Sequence, residues 1–80
     1  MKKLKELRMA VGLSQSQLAE KAGLNVRTLQ YHEQGYKNIN NARIDILIKY
    51  CLALGCKISD LIDEPEYLNL IKEYEKGLPK

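Results

Sequence analysis

Residues 13–35 read LSQSQLAEKAGLNVRTLQYHEQG, a stretch that contains two short helices joined by a glycine turn. Ser14 fits a helix N-cap, because its hydroxyl can accept from the otherwise unpaired backbone N–H of Gln17. The Gln17 amide can reach back to the Ser14 N–H, completing a capping box, and Leu13 and Leu18 stand at the spacing of a hydrophobic staple. Gly23 suits the left-handed residue that ends this helix, a conformation costly for anything with a Cβ. Asn25 is a second good cap and Gly35 a second good C-terminal stop, so the second helix runs between them.

That second helix has two unlike faces. Val26 and Leu29 lie on one side, and His32 and Glu33 extend it. Arg27, Gln30, Tyr31 and Gln34 follow i, i+3, i+4, i+7 and form a single stripe on the other. Every member of the stripe can hydrogen-bond and none is acidic. Guanidinium, amide and phenol groups on a rigid rod are what reading base edges in a major groove requires. A solvated helix face is the other reading, although such faces usually mix Glu with Lys, and the stripe taken alone leaves both open.

Outward from this stretch, residues 2–11 make a first helix, with Leu4, Leu7 and Val11 at i, i+3, i+7 and Gly12 closing it. Arg8 lies beside that apolar stripe. After Gly35 comes the polar loop YKNINNAR, in which Asn40 or Asn41 can cap the next helix. That fourth helix is expected from Ala42 to Leu54, with Gly55 as its stop. Ile44, Leu47, Ile48, Cys51 and Leu54 form its core stripe; Ile46, Tyr50 and Ala53 form a second apolar stripe, more than one face needs. Ile58, Leu61 and Ile62 mark a short fifth helix. Glu64 and Pro65 can start a sixth, since Pro is tolerated at the first helical position. In it Tyr67, Ile71, Tyr74 and Leu78 share a face that either covers the second stripe within the molecule or pairs with another chain. No strand-like alternation and no internal repeat occur anywhere.

Helix, glycine turn and helix with Gln15, Leu18, Ala19, Gly23, Leu24, Leu29, Glu33 and Gly35 in this register resemble the phage repressor and Cro type of helix-turn-helix. This is the family also called the xenobiotic-response-element type of bacterial regulator. LKELR before the motif and CLALGCKISDLI after it extend the likeness to about residues 3–63. The resemblance implies an all-α, five-helix repressor-like DNA-binding domain over residues 1–63, with the motif at 14–35. Residues 64–80 are then an additional C-terminal helical tail that packs or dimerises. It also implies that the second motif helix enters the major groove with its N-terminal half on base edges. Arg27 is the first choice for base readout, to guanine O6 and N7, followed by Gln30 and Tyr31. Gln34 reaches a base or the backbone, and Val26 touches a thymine methyl or joins the core. Ser14, Gln15 and Asn25 sit at helix starts, where free N–H groups favour phosphate. Thr28, Tyr36, Lys37, Asn38 and Arg43 are further phosphate candidates.

In the resembled family an Arg and a Glu stand at positions 8 and 33 as an ion pair. A carboxylate on the inward side of the motif helix needs such a partner, and the planar fork of Arg8 suits it. The expected role is structural. His32 departs from the family pattern, which places an apolar or aromatic residue there; it is expected as a core-edge imidazole with one nitrogen hydrogen-bonded. The loop after Gly35 is also about three residues longer than the commonest family version, and the readout positions differ from those of relatives. No operator sequence therefore carries over. Because one small domain has a small footprint, a dimer on a palindrome is expected, with recognition helices about 34 Å apart.

Composition bounds the alternatives. Eighty residues make one small domain, able to bury only about 60–65% of its unfolded surface, too little for a large enclosed active site. The net charge is +3, but residues 1–49 hold nine Lys and Arg against four acids, whereas residues 50–80 hold four against six. A basic N-terminal half suits a polyanion partner. Glu6 and Arg8 interrupt any signal-peptide core, and no apolar run approaches the roughly 18 residues that span a membrane. The expected setting is a bacterial or phage-encoded cytoplasmic protein. Cys51 and Cys56, with one His in the chain, fit neither a disulfide framework nor a zinc site; both read as small core hydrophobes carrying free thiols. No metal or cofactor is expected. No enzyme is expected either, since the only His has no Ser or Cys neighbour to activate. The leading expectation is a transcriptional repressor. The alternative is an antitoxin or partner-controlled module that uses the second stripe of helix 42–54 and the tail.

Overall fold

The computed structural model describes residues 2–79. Its helices are α1 (Lys2–Ala10), α2 (Gln15–Ala22), α3 (Val26–Gln34), α4 (Ile44–Leu54), α5 (Ile58–Leu61) and α6 (Pro65–Lys76), with a single 3-10 turn at Ile39–Asn41. The start of α2 is fixed by local chemistry. The Gln17 N–H donates to Ser14 Oγ at 3.1 Å, and the Ser14 N–H donates to Gln17 Oε1 at 2.8 Å. At the other end Gly23 has φ +70°, and the Leu24 N–H folds back onto the Ala19 carbonyl at 2.8 Å. This reversal sets α3 against α2. Asn25 then caps α3 by accepting from the Arg27 N–H at 2.8 Å.

Leu4, Leu18, Leu29, Ile39, Tyr50 and Leu61 are completely buried and join α1 to α5 in one core. Burying each such side chain contributes about 1.5–3 kcal/mol, which outweighs the modest intrinsic stability of helices this short. Cys51 is buried within it and Cys56 is half-buried at its edge; both are free thiols. Burial pushes the Cys51 thiol up to about 12 and raises Cys56 as well, so both stay protonated at neutral pH.

The structure corrects three expectations about α1 and α4. First, α1 ends at Ala10, and Val11 is 48% exposed outside the core. Gly12, at φ +74°, turns the chain before Val11 can follow its stripe inward. Second, α4 begins at Ile44 with Arg43 as its N-cap residue, not at Ala42 under Asn40 or Asn41. Residues 39–41 form the 3-10 turn instead, because Asn38 caps it by accepting from the Asn40 N–H at 3.0 Å. That turn drops Ile39 into the core. Third, the stripes of α4 are redistributed: Ile44 and Ile48 are 62% and 43% exposed, whereas Tyr50 and Ala53 are buried beside Leu47, Cys51 and Leu54. The deciding contact is polar. The Tyr50 hydroxyl has a buried partner in His32, and facing it turns Ile44, Ile48 and Leu52 outward.

The tail folds as a helix from Pro65, following Glu64 as N-cap. Its inward face carries Leu68 and Ile71, packed against the core beside α5, so that of the expected set Ile71 alone turns inward. Tyr67, Tyr74 and Leu78 remain exposed, together with Leu70.

Candidate nucleic-acid interface

Glu33 organises the ground beneath α3. Its side chain is 4% exposed, and Arg8 grips it with both arms of the fork: Nε donates to Oε2 at 2.7 Å and Nη2 to Oε1 at 3.1 Å. The remaining arm, Nη1, donates to the Leu13 carbonyl at 2.8 Å, tying α1 to the segment that leads into α2. The Gln15 amide donates to the same Oε1 at 3.1 Å, and Gln30 donates to Gln15 Oε1 at 3.4 Å. A chain of hydrogen bonds thus runs from the buried ion pair out to the exposed stripe, and it restrains Gln30 before anything is bound. Gln15 is committed inward, with one of its amide hydrogens given to Glu33.

On the outer face Arg27 and Gln34 are exposed, and Gln30 and Tyr31 are half-buried. The Arg27 guanidinium has no partner among the described residues. Tyr31 is held on edge against Tyr36, with ring centroids 6.1 Å apart, and the Lys37 ammonium lies 5.8 Å from its ring. The four stripe residues therefore stand together on one surface, with the loop residues Tyr36 and Lys37 beside them. Val26 is half-buried and packs against the core.

The expected phosphate residues are less uniform. Ser14 and Asn25 spend their side-chain oxygens on caps, as does Asn38. Thr28 is half-buried, and Tyr36 and Lys37 are exposed. Arg43 forks onto Asp45 at 3.1 and 3.0 Å in an exposed pair, so a phosphate there competes with a carboxylate.

Two features were not legible in the sequence. Asn40 clasps the loop to the start of α6: its amide donates to Asp63 Oδ1 at 2.8 Å, and its carbonyl accepts from the Asp63 and Glu64 N–H groups at 3.0 and 3.1 Å. Reading Asn40 as a cap for α4 overlooked that α6 brings no side-chain cap of its own. The second is the partner of His32: one ring nitrogen is hydrogen-bonded as expected, but the group it meets, the buried Tyr50 hydroxyl 2.8 Å from Nδ1, lies eighteen residues away. Burial, and then the Lys37 charge, hold His32 below its ordinary value, so the ring is neutral at pH 7. Burial, with Glu33 nearby, raises Tyr50 well above its ordinary value.

Among the described residues no three His, Cys, Asp or Glu side chains group to hold a metal. None of the described helices is long and apolar enough to cross a membrane. A sequence family described as helix-turn-helix matches residues 4–61, most of the chain. No individual curated protein and no solved structure matches.

Proposed function

The chain belongs to the helix-turn-helix family of Cro and phage-repressor type, whose members are DNA-binding regulators of transcription, and from that premise we propose that it is a repressor binding a palindromic operator as a dimer. The observation that carries this reading is the acid-free stripe on α3, backed by the Arg8–Glu33–Gln15–Gln30 chain of hydrogen bonds. Positioned donors cost less conformational entropy on binding than flexible ones, and their fit to the donor and acceptor pattern of the base edges supplies specificity. In this reading α3 enters the major groove. Arg27 pairs with guanine O6 and N7, Gln30 and Tyr31 read the neighbouring bases, and Gln34 reaches the next base or the backbone. Val26, half-buried, offers only the edge of a methyl contact to thymine. The first backbone N–H groups of α2 and α3, near Ser14, Gln15 and Asn25, face the phosphates with Thr28, Tyr36, Lys37, Asn38 and Arg43.

Selection from random duplexes tests this. A symmetric site with half-sites about one helical turn apart supports the dimeric reading. Enrichment of no sequence contradicts it.

A second reading, control through a protein partner, draws on a different observation. Ile44, Ile48 and Leu52 on α4, and Tyr67, Leu70 and Tyr74 on α6, are exposed. Exposed apolar faces of this kind mark interaction surfaces. Sedimentation of the purified chain separates the two: a dimer that Leu52→Lys dissociates assigns the α4 face to self-association. A monomer leaves that face to another partner.

A further inference from the structure

Beside the stripe, between α3 and the start of α4, lies an open cleft of about 330 Å3. Thr28, His32, Lys37, Asn38 and Asn41 line it, over an apolar floor of Ala42 and Ile46. No carboxylate reaches it. Among the described residues the Thr28 hydroxyl, the Lys37 ammonium and the Asn41 amide make no hydrogen bond, the ammonium having only the face of the Tyr31 ring 5.8 Å away. Asn38 spends its oxygen on Asn40, which leaves its own amide hydrogens unused.

His32 is the built part. The residue is 3% exposed, and Nδ1 is taken by the Tyr50 hydroxyl. Nε2 has no partner among the described residues, yet none of their buried side-chain nitrogens or oxygens is left unsatisfied. Nε2 therefore keeps some contact with solvent, and His32 is one of the residues that line the cleft. A neutral ring that accepts the phenolic hydrogen at Nδ1 carries its own proton on Nε2, as a donor into the cleft.

We propose that this cleft is an oxyanion site that takes a phosphate group, with Lys37 supplying the charge and Thr28, Asn41 and His32 Nε2–H supplying hydrogen bonds. The phosphate is one of the DNA backbone or a free one; the first source rests on the DNA-binding reading above, the second does not. Held here, a backbone phosphate fixes how far α3 rolls in the groove, because Thr28 and His32 belong to the same helix as the reading stripe.

The chain has a single histidine, so its ring gives one unambiguous set of NMR signals. These signals are followed while inorganic phosphate is added, against sodium chloride at equal ionic strength, and separately while a selected duplex is added. The expected result is a saturable shift of the His32 ring with phosphate but not with chloride. Lys37→Ala and Asn41→Ala, both exposed positions that leave the core intact, weaken it at least fivefold. A shift with the duplex that added phosphate reverses assigns the site to the DNA backbone. A phosphate shift without any duplex binding keeps the site and overturns the DNA reading. Duplex binding that depends on Arg27 but leaves the His32 ring and both variants unaffected overturns the site and keeps the DNA reading. A ring that responds to neither probe overturns the site outright.

Discussion

A buried carboxylate is tolerated only when other groups hold its charge, and Glu33 is held by Arg8 through two bonds and by Gln15 through a third. Removing one partner strands the other charge, so Arg8→Met is expected to cost about 3–5 kcal/mol in urea unfolding. Replacing both, Arg8→Met with Glu33→Leu, is expected to recover most of that loss, because no unpaired charge is left behind. His32 obeys the opposite rule: here the fold prefers the neutral form. Its folded pKa lies below the unfolded value of 6.5, so the unfolded chain binds the proton more readily. The stability tied to neutral His32 is present above pH 6.5 and is lost as pH falls through the lowered folded value. Unfolding midpoints measured from pH 7.5 down to 5.5 should fall for the wild-type chain. In His32→Leu the slope over that window should flatten; an unchanged slope would assign it to other groups.

At the scale of elements, the ends of the motif helices were readable because capping is a matter between near neighbours, and Ser14, Gln17, Gly23 and Asn25 carry it within twelve residues. The facing of α4 was not. Apolar residues surround this helix, so periodicity does not choose a side; the choice is made by what α2, α5 and the His32 ring present. Leu47→Ala is accordingly expected to cost about 2–5 kcal/mol as a core truncation. Ile48→Ala and Leu52→Ala should stay within about 0.5 kcal/mol. Equal losses at Ile48 and Leu47 would restore the stripe expected from the sequence. The clasp of Asn40 escaped for a related reason: it joins residues 23 and 24 apart, and no local pattern announces such a pairing. Gln15 and Gln30, fifteen apart, met by the same kind of long-range contact. Asn40→Ala removes the groups that hold the start of α6, a loss comparable to a missing cap at about 1 kcal/mol. Hydrogen exchange should then quicken at Asp63, Glu64 and the first turn of α6 while the amides of α2 stay protected.

At the scale of the whole molecule, the chain spans 35 × 26 × 21 Å, a size at which two copies side by side can present recognition helices about 34 Å apart. The basic excess lies in residues 1–49, which contain both motif helices, while the balance in residues 50–80 is acidic. That excess favours a polyanion partner for the N-terminal half, and in the proposed reading affinity should fall steeply with added salt, by a slope that counts the phosphates neutralised. In the proposed reading, charge supplies attraction and the stripe on α3 supplies choice. The two separate in one comparison, the affinity of wild type and of Arg27→Ala for the selected duplex and for a scrambled duplex of equal length. A bidentate contact to guanine is worth about 1–3 kcal/mol of discrimination, so the variant should lose roughly ten- to hundredfold on the selected site and little on the scrambled one. Equal losses on both duplexes, or none on either, would contradict the assignment of α3 as the element that reads the DNA.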